Sequence, residues 1–198
     1  MKIILAFDVF GTLLDTSSFP EEARRKQLEY TWLFTIMGKF LPFREITSMA
    51  VRSYLNEHEG SEPQLMEIWR NLKAHGDVSS LAEISSLAEV FALSNGSVEE
   101  VREHLERNGI LKYFKGIYSA EQVGEYKPSP KVYKFFMENE GYPSFLVSAN
   151  TFDLMGAKNA GMGTVYVNRG TRKLDPFLEV DVIVRDLNKL ALYLREKA

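Results

Sequence analysis

The stretch IILAFDVFGTLLD, which runs from Ile3 to Asp15, is the most informative part of this chain about its fold. Its apolar start, Ile3 to Phe7, predicts a buried strand, and Asp8 follows where that strand ends. Gly11 and Thr12 then predict a tight turn. In an open parallel sheet, ligands bind at the carboxyl ends of the strands, so Asp8 is expected to face a ligand. A carboxylate held there by turn amides is a candidate nucleophile.

The chain becomes helical after this stretch. Apolar residues recur at helical spacing in four successive groups before residue 89, and no strand pattern interrupts them. The groups are Leu28, Trp32, Leu33 and Ile36; Ile46, Met49, Ala50 and Tyr54; Leu65, Ile68, Trp69 and Leu72; and Leu81, Ile84, Leu87 and Ala88. Such a region predicts a helical insert, with no strands between about Asp15 and Ala88.

Short apolar strands alternate with helices in the remainder, near residues 90–93, 116–119, 145–147, 164–167 and 182–184. This alternation predicts an α/β fold with a doubly wound, Rossmann-like parallel sheet as its core. The helical cap is inserted after the first strand. We expect residues 1–14 and 89–198 to form the core domain and residues 15–88 to form the cap domain.

The composition excludes several kinds of functional site and several classes of partner. The chain has 198 residues, of which 45% are hydrophobic and 26% charged, with a formal net charge of −3 and no cysteine. The absence of cysteine excludes disulfides, thiolate metal sites and cysteine nucleophiles. No basic run suggests nucleic acid, no apolar stretch is long enough for a bilayer, and no signal-type cleavage site follows the N-terminus. We expect a cytoplasmic protein, with His58, His75 and His104 all on its surface.

Polar side chains follow the predicted strands at one rim of the sheet. They are Asp8, Thr12, Ser94, Asn95, Lys127, Ser148, Asn150 and Asp153. Their convergence predicts a functional site. Taken singly, several have structural alternatives, since Ser94 and Asn95 precede a glycine in a common turn sequence and Lys127 could be a solvated loop residue. Ser148 and Asn150 could equally cap the next helix.

These residues resemble the four motifs of the haloacid dehalogenase superfamily, in the same order and over nearly the whole chain. The run RRKQLEYTW (Arg24 to Trp32) resembles the first cap helix of the L-2-haloacid dehalogenases, one branch of that superfamily. Superfamily phosphatases carry acidic residues where this chain has Phe10 and Ala149. The resemblance is therefore to the dehalogenase branch, and it implies a reaction that needs no metal ion and no other cofactor.

The resemblance implies that (S)-2-haloalkanoic acids are hydrolysed to (R)-2-hydroxy acids through an ester on Asp8. Arg24, Asn95 and the edge of Phe152 would stabilise the departing halide, and Asp153 is the candidate for activating water. The implied catalytic residues are Asp8, Thr12, Arg24, Lys127, Ser148, Asn150 and Asp153. The implied substrate-binding residues are Val9 and Phe10 (through backbone amides), Arg24, Leu28, Phe43, Ser94, Asn95, Tyr133 near Lys127, and Phe152. The side chains of Phe10, Leu28, Phe43 and Phe152 would line an apolar pocket.

Two departures from the family pattern are expected to alter substrate range, because Arg25 and Phe152 stand where glutamine and tryptophan are common. Two alternatives stay open: a magnesium-dependent phosphatase acting on a small phosphate ester, and a binding module that kept the fold without catalysis. The expected partners are a small 2-haloacid and the released halide. The resemblance also suggests a homodimer, with Trp32 and Phe40 either in the core or partly at the interface.

Overall fold

A computed structural model describes residues 3–170 and 176–197 of the chain. The sequence predicts a loop from Asn168 to Glu179, and part of it lies outside the described residues. In chain order the elements are β1 (Ile3–Phe7), β2 (Leu14–Asp15), α1 (Glu21–Ile36), α2 (Phe43–Leu55), α3 (Glu62–Arg70), β3 (Lys73–Ala74), α4 (Leu81–Leu87), β4 (Ala88–Ser94), α5 (Val98–Arg107), β5 (Gly116–Ser119), α6 (Pro130–Glu140), β6 (Ser144–Ser148), α7 (Thr151–Asn159), β7 (Gly163–Val167), β8 (Val182–Val184) and α8 (Leu187–Lys197).

Six parallel strands form the main sheet in the order β5-β4-β1-β6-β7-β8, so the strand nearest the N-terminus lies at its centre. Phe7 at the end of β1 is level with Ala92 on β4 and Val147 on β6. The amide of Asp8 still donates to the carbonyl of Val147 at 3.0 Å, which fixes Asp8 at the rim between these strands. The structure confirms the predicted parallel α/β sheet.

Burial of the central strand explains its near-continuous apolar sequence. Leu5, Ala6 and Phe7 are all at most 1% exposed, as expected for a strand with neighbours on both sides and helices over the sheet. Burying a side chain the size of leucine or phenylalanine stabilises the folded state by roughly 1.5–3 kcal/mol. The rim that carries Asp8 is therefore held by one of the most buried segments of the molecule.

The prediction of a strand-free region between Asp15 and Ala88 is wrong. Strands β2 and β3 pair antiparallel, with Leu14 opposite Ala74 and Asp15 opposite Lys73. They are two residues long, too short for a periodic pattern, and they join the segments that enter and leave the helices α1 to α3. Helix α4, which the predicted division assigns to the cap, packs against α8 and β4. We propose that the cap ends at β3 and that α4 belongs with the core.

The apolar spacing in α1 predicts the wrong buried face. The fully buried residues of this helix are Ala23, Gln27 and Thr31, whereas Leu33 is 43% and Ile36 is 81% exposed. Hydrogen bonds to α2, described below, allow the buried face to be polar. Trp32 lies between these faces, half-buried, with its ring edge-on to Phe152 at 5.4 Å between centroids.

Candidate active site

The two oxygens of the Asp8 carboxylate have very different surroundings. Oδ2 accepts hydrogen bonds from the Thr12 hydroxyl at 2.7 Å, the Asn150 side-chain amide at 2.7 Å and the Ser148 hydroxyl at 3.3 Å. Among the described residues, Oδ1 accepts only from the Lys127 ammonium, at 3.3 Å. Asp8 is 7% exposed, so its carboxylate is held by the protein but remains open to a small molecule.

The turn after Asp8 explains why Gly11 and Thr12 follow it. Gly11 has φ near +90°, a backbone conformation that side chains rarely adopt, and a Cβ there would lie 3.4 Å from the amide group of Asn150. The backbone amide of Ala149 donates to the Thr12 hydroxyl oxygen at 2.9 Å. The hydroxyl proton is then directed at Asp8, so the loop after β6 orients the carboxylate through Thr12.

Lys127 is only 1% exposed and contacts the loop after β1, strand β4 and helix α7. Its ammonium donates to the Asp153 carboxylate at 2.8 Å and to the carbonyl of Leu93 at 2.6 Å, besides its contact with Asp8. Burial lowers the pKa of Lys127, but the two carboxylates outweigh it and hold the pKa above its usual value. The lysine is therefore a fixed cation between Asp8 and Asp153, rather than a solvated loop residue.

Asp153 is fully buried in the first turn of α7. Burial raises the pKa of its carboxyl to about 6, against the opposing effect of the Lys127 cation. Tyr133 donates to Asp153 at 2.6 Å, and burial together with this carboxylate raises the pKa of the phenol well above its usual range. Gly156 permits this contact, because a Cβ there would lie 2.7 Å from the phenol oxygen. Tyr133 thus reaches the site through Asp153.

The remaining motif residues have backbone partners. Asn95 is 7% exposed and accepts from the backbone amide of Lys127 at 2.9 Å, so it positions the start of the lysine loop. The Ser94 hydroxyl accepts from the amide of Gly96 at 3.1 Å. The carbonyl of Val9 accepts from the amides that close the turn after Asp8. The turn interpretation of Ser94 and the site interpretation of Asn95 are both compatible with these contacts.

Arg24 brings the cap to the rim. One of its terminal nitrogens, Nη2, donates to the carbonyl of Phe10 at 3.4 Å, and the guanidinium lies 5.4 Å from the ring centroid of Trp69. Burial lowers the pKa of Arg24 to about 10, against the opposing pull of Asp8 and Glu100, and the group stays cationic near neutral pH. The neighbouring Arg25 lies on the exposed side of α1.

Aromatic rings form the wall between the core and the cap. Phe10 stacks on Phe43 at 5.7 Å, meets Trp69 at 4.7 Å and packs edge-on to His104 at 5.3 Å between centroids. Leu28 is half-buried, and Phe152 packs against Trp32 rather than joining this group. The four predicted apolar side chains therefore do not form one cluster: Phe10 and Phe43 are in contact with each other, and Phe152 is elsewhere.

The prediction that all three histidines lie on the surface is wrong for His104. It is 2% exposed, and burial lowers the pKa of its imidazole to about 4. The charged residues around it in sequence conceal this, because α5 presents them to solvent and turns His104 inward. His75 is half-buried, and His58 is exposed.

Sequence reasoning missed four residues around Arg24. They are Gln27, Thr47, Trp69 and Glu100. The Glu100 amide donates to the Ser97 side chain at 3.0 Å, and the Glu100 carboxylate accepts from the Trp69 indole at 2.9 Å. Burial raises the pKa of Glu100 to about 7. No local pattern could reveal these contacts, because each joins residues from different helices or from the buried side of one helix.

Within residues 3–170 and 176–197, no three His, Asp or Glu side chains are grouped closely enough to bind a metal ion. Phe10 and Ala149 supply no acidic ligand beside Asp8. In the same part of the chain, none of the helices combines the length and the apolar character needed to cross a membrane.

Comparisons with known proteins agree with this geometry. The family model described as haloacid dehalogenase-like hydrolase matches residues 5–167. Haloacetate dehalogenase H-2 of Moraxella sp. (strain B) is 32% identical, covering 83% of this chain and 85% of the relative. (S)-2-haloacid dehalogenase 4A of Burkholderia cepacia is also 32% identical, covering 82% of this chain and 81% of the relative.

One solved structure shares the whole fold. The L-2-haloacid dehalogenase of Xanthobacter autotrophicus with chloropropionic acid covalently bound superposes on this chain with a TM-score of 0.86. The match covers 100% of both chains at 26% identity. The resemblance drawn from the motifs is confirmed, and the chain belongs to the haloacid dehalogenase-like hydrolases.

Proposed function

We propose that this protein is an (S)-2-haloacid dehalogenase that forms an ester on Asp8 and then hydrolyses it. The observation that carries the proposal is the asymmetric carboxylate of Asp8, with Phe10 two residues later where a phosphatase has its second acid. Relatives named as (S)-2-haloacid dehalogenases, and a similar structure with chloropropionic acid covalently bound, support the same reaction.

The nucleophilic atom in this mechanism is Oδ1 of Asp8. Oδ2 is engaged by three donors, whereas Oδ1 has a single longer contact with Lys127. Oδ1 attacks C2 of the substrate, and the carbon–halogen electron pair leaves with the halide. Holding the carboxylate in line at a nearly dry site removes much of the entropic barrier to this displacement. Attack from behind inverts C2, so an (S)-haloacid gives an (R)-hydroxy acid.

The donors on Oδ2 then serve the second half of the reaction. After Oδ1 has become the ester oxygen, Oδ2 is the ester carbonyl oxygen, and water adds to the carbon between them. The bond from that carbon to Oδ1 then breaks, so the hydroxy acid leaves with Oδ1 and takes up the proton that the water lost, and the oxygen of the water stays in the Asp8 carboxylate. The negative charge that develops on Oδ2 is met by Thr12, Asn150 and Ser148, which are already in place. Preorganised donors of this kind are typically worth several kcal/mol in the barrier. C2 is untouched in this step, so its configuration is kept.

Asp153 is the general base for the attacking water. A carboxyl with a pKa of about 6 is ionised near neutral pH yet basic enough to accept a proton. Lys127 and Tyr133 fix its two oxygens. Arg24 stabilises the halide as it leaves, because it is the cation that the cap brings over the loop after Asp8. Ser94 and the amides near Val9 and Phe10 bind the substrate carboxylate.

The test is halide release from the separate enantiomers of 2-chloropropionate, followed by a reaction in oxygen-18 water. We expect release from the (S)-enantiomer only, with label incorporated into the Asp8 carboxylate after repeated turnover. Hydrolysis of an aryl phosphate in magnesium, with no halide release, would replace this proposal with the phosphatase alternative. Neither activity, together with unlabelled protein, would favour the binding module.

We also propose a cytoplasmic homodimer. The outer face of α1 supports the dimer, because Leu33, Ile36 and Met37 are 43%, 81% and 54% exposed on one helix end. Trp32 and Phe40, the interface candidates from sequence, are half-buried beside them. The solution mass of the wild type and of Ile36→Glu tests this, and a wild-type monomer at micromolar concentration would refute the dimer.

A further inference from the structure

The buried face of α1 carries an amide where an apolar side chain would be expected. Gln27 is 0% exposed in the middle of the helix, and so is Thr47 on the facing helix α2. A buried amide destabilises the folded state unless its donors and its acceptor find partners. Both ends of Gln27 are satisfied: Nε2 donates to the Thr47 hydroxyl oxygen at 2.6 Å, and Oε1 accepts from Nη1 of Arg24.

The direction of these bonds is set by the backbone of α2. The Thr47 hydroxyl donates its only proton to the carbonyl of Phe43 at 2.9 Å. Its oxygen can then only accept, so Gln27 must present Nε2 to Thr47. The amide oxygen is thereby turned toward Arg24. If the amide were flipped, its NH₂ group would face the guanidinium, which has donors only.

The guanidinium of Arg24 is consequently held on three sides. Gln27 occupies Nη1, the carbonyl of Phe10 accepts from Nη2 at 3.4 Å, and the indole of Trp69 covers one face at 5.4 Å. Phe10 belongs to the loop that carries Asp8, so one group of contacts relates the cation to the nucleophile. A long side chain without such restraint would sample many rotamers, and misplacing a catalytic group by about 1 Å can slow a reaction on the order of 100-fold.

We propose that Gln27 and Thr47 are positioning residues of the leaving-group site, and that the relay from the Phe43 carbonyl through Thr47 and Gln27 fixes the guanidinium of Arg24 opposite Asp8. This inference rests on the proposed function for the role of Arg24. The relay itself is a property of the folded protein and can be observed without any substrate.

The relay variants are Thr47→Val, which keeps the shape and removes the hydroxyl, and Gln27→Leu. Thr31→Val is the matched control, because Thr31 is equally buried on the same face of α1 but donates its hydroxyl to the carbonyl of Leu28 in its own helix at 2.6 Å. Thr47→Ser keeps the hydroxyl and is the conservative rescue.

The first measurement is NMR of the arginine guanidinium groups in the intact wild-type protein, with the signals of Arg24 assigned from their loss in Arg24→Lys. We expect separate, slowly exchanging Nη signals in the wild type and in Thr31→Val. In Thr47→Val and Gln27→Leu they should merge into one averaged signal. Separate signals in both relay variants would overturn the inference, whatever the enzyme's activity.

The second measurement is single-turnover ester formation from (S)-2-chloropropionate, followed by ester hydrolysis. Ester formation should slow at least 10-fold in Thr47→Val and Gln27→Leu, recover in Thr47→Ser and stay within 2-fold of wild type in Thr31→Val. Ester hydrolysis should not change. Wild-type rates in both relay variants, or an equal loss in Thr31→Val, would overturn the inference. If the NMR result holds but the wild type releases no halide, the proposed function fails and the positioning of Arg24 stands.

Discussion

The candidate site has two parts, the rim around Asp8 and the surroundings of Arg24, and the chain brings their residues together in different ways. The rim around Asp8 consists of residues at or beyond the carboxyl ends of parallel strands, so β1 and β6 bring Asp8 and Ser148 together and the loop after β5 brings Lys127 to them. The surroundings of Arg24 consist of contacts between cap helices, such as Gln27 with Thr47, and between the cap and the core, such as Trp69 with Glu100. The motifs assign none of these four residues to the site. The positions of the rim residues follow from the sheet topology, whereas the contacts around Arg24 depend on how several helices pack against one another.

The largest effect should come from the rim. Asp8→Asn keeps the shape of the side chain but removes the nucleophilic oxygen, so halide release should fall on the order of 10⁴-fold or more. Circular dichroism should show an unchanged fold. Release near the wild-type rate would contradict the assignment, after mass spectrometry has excluded deamidation back to aspartate.

The second-largest effect should come from Arg24 in the cap. Arg24→Lys keeps the charge but loses the planar fork that contacts both Gln27 and the Phe10 carbonyl, and we expect the barrier to ester formation to rise by about 2 kcal/mol or more. Arg25→Gln is the control, since Arg25 is adjacent in sequence but lies on the exposed side of α1. A crippled Arg25→Gln beside a mild Arg24→Lys would show that the halide site lies on another face of the helix.

The rates of ester formation and of ester hydrolysis should depend on pH in different ways. Asp153 must be ionised to act as a base, and burial raises the pKa of its carboxyl to about 6. Ester hydrolysis should therefore fall as pH falls through about 6, by about tenfold for each unit well below it. Ester formation, which does not use this base, should lack that inflection. An identical profile for both steps would remove Asp153 from the hydrolytic step.

Glu100, half-buried beside Trp69, should affect stability rather than rate. Its pKa of about 7 in the folded protein lies above the ordinary 4.5, so the protonated form favours folding and stability is lost as pH rises from about 4.5 through about 7. Glu100→Gln still accepts from Trp69 and avoids that loss. Above pH 7, the free energy of unfolding of Glu100→Gln should exceed that of the wild type by about 1–3 kcal/mol. No difference between denaturation midpoints at pH 5 and pH 8 would refute this.

The smallest expected effect is that of chelation. Neither Phe10 nor Ala149 can contribute a carboxylate, and the ammonium of Lys127 lies between Asp8 and Asp153. Halide release should be the same in EDTA and in added magnesium. Activity lost in EDTA and restored by magnesium would revive the phosphatase alternative.

The rim around Asp8 was more predictable from the sequence than the surroundings of Arg24. Strands β1, β4 and β6 each end at a recognisable motif, so the convergence of Asp8, Ser94 and Ser148 at one rim could be predicted from the alternation of strands and helices. The burial of Lys127 between Asp8 and Asp153 could not, because Lys127 lies in a loop well beyond the end of β5. Helix α1 could not be oriented in the same way, because its apolar residues Leu33 and Ile36 are exposed while Gln27 is buried. Periodicity assumes that the buried face is apolar, and a hydrogen bond between two buried side chains breaks that assumption. The same limit hid His104, whose charged neighbours suggested a surface position.

Sequence patterns were sufficient to predict the parallel α/β core, the insertion of helices after the first strand, and the set of polar residues at the rim. These depend on local patterns, since a buried strand must be apolar and a strand end must place its next side chain at the edge of the sheet. Three features could not be predicted in this way: which oxygen of Asp8 is engaged, which face of α1 is buried and how the guanidinium of Arg24 is held. Those features arise from hydrogen bonds between residues far apart in the chain, whose direction and geometry exist only once the helices and strands have packed.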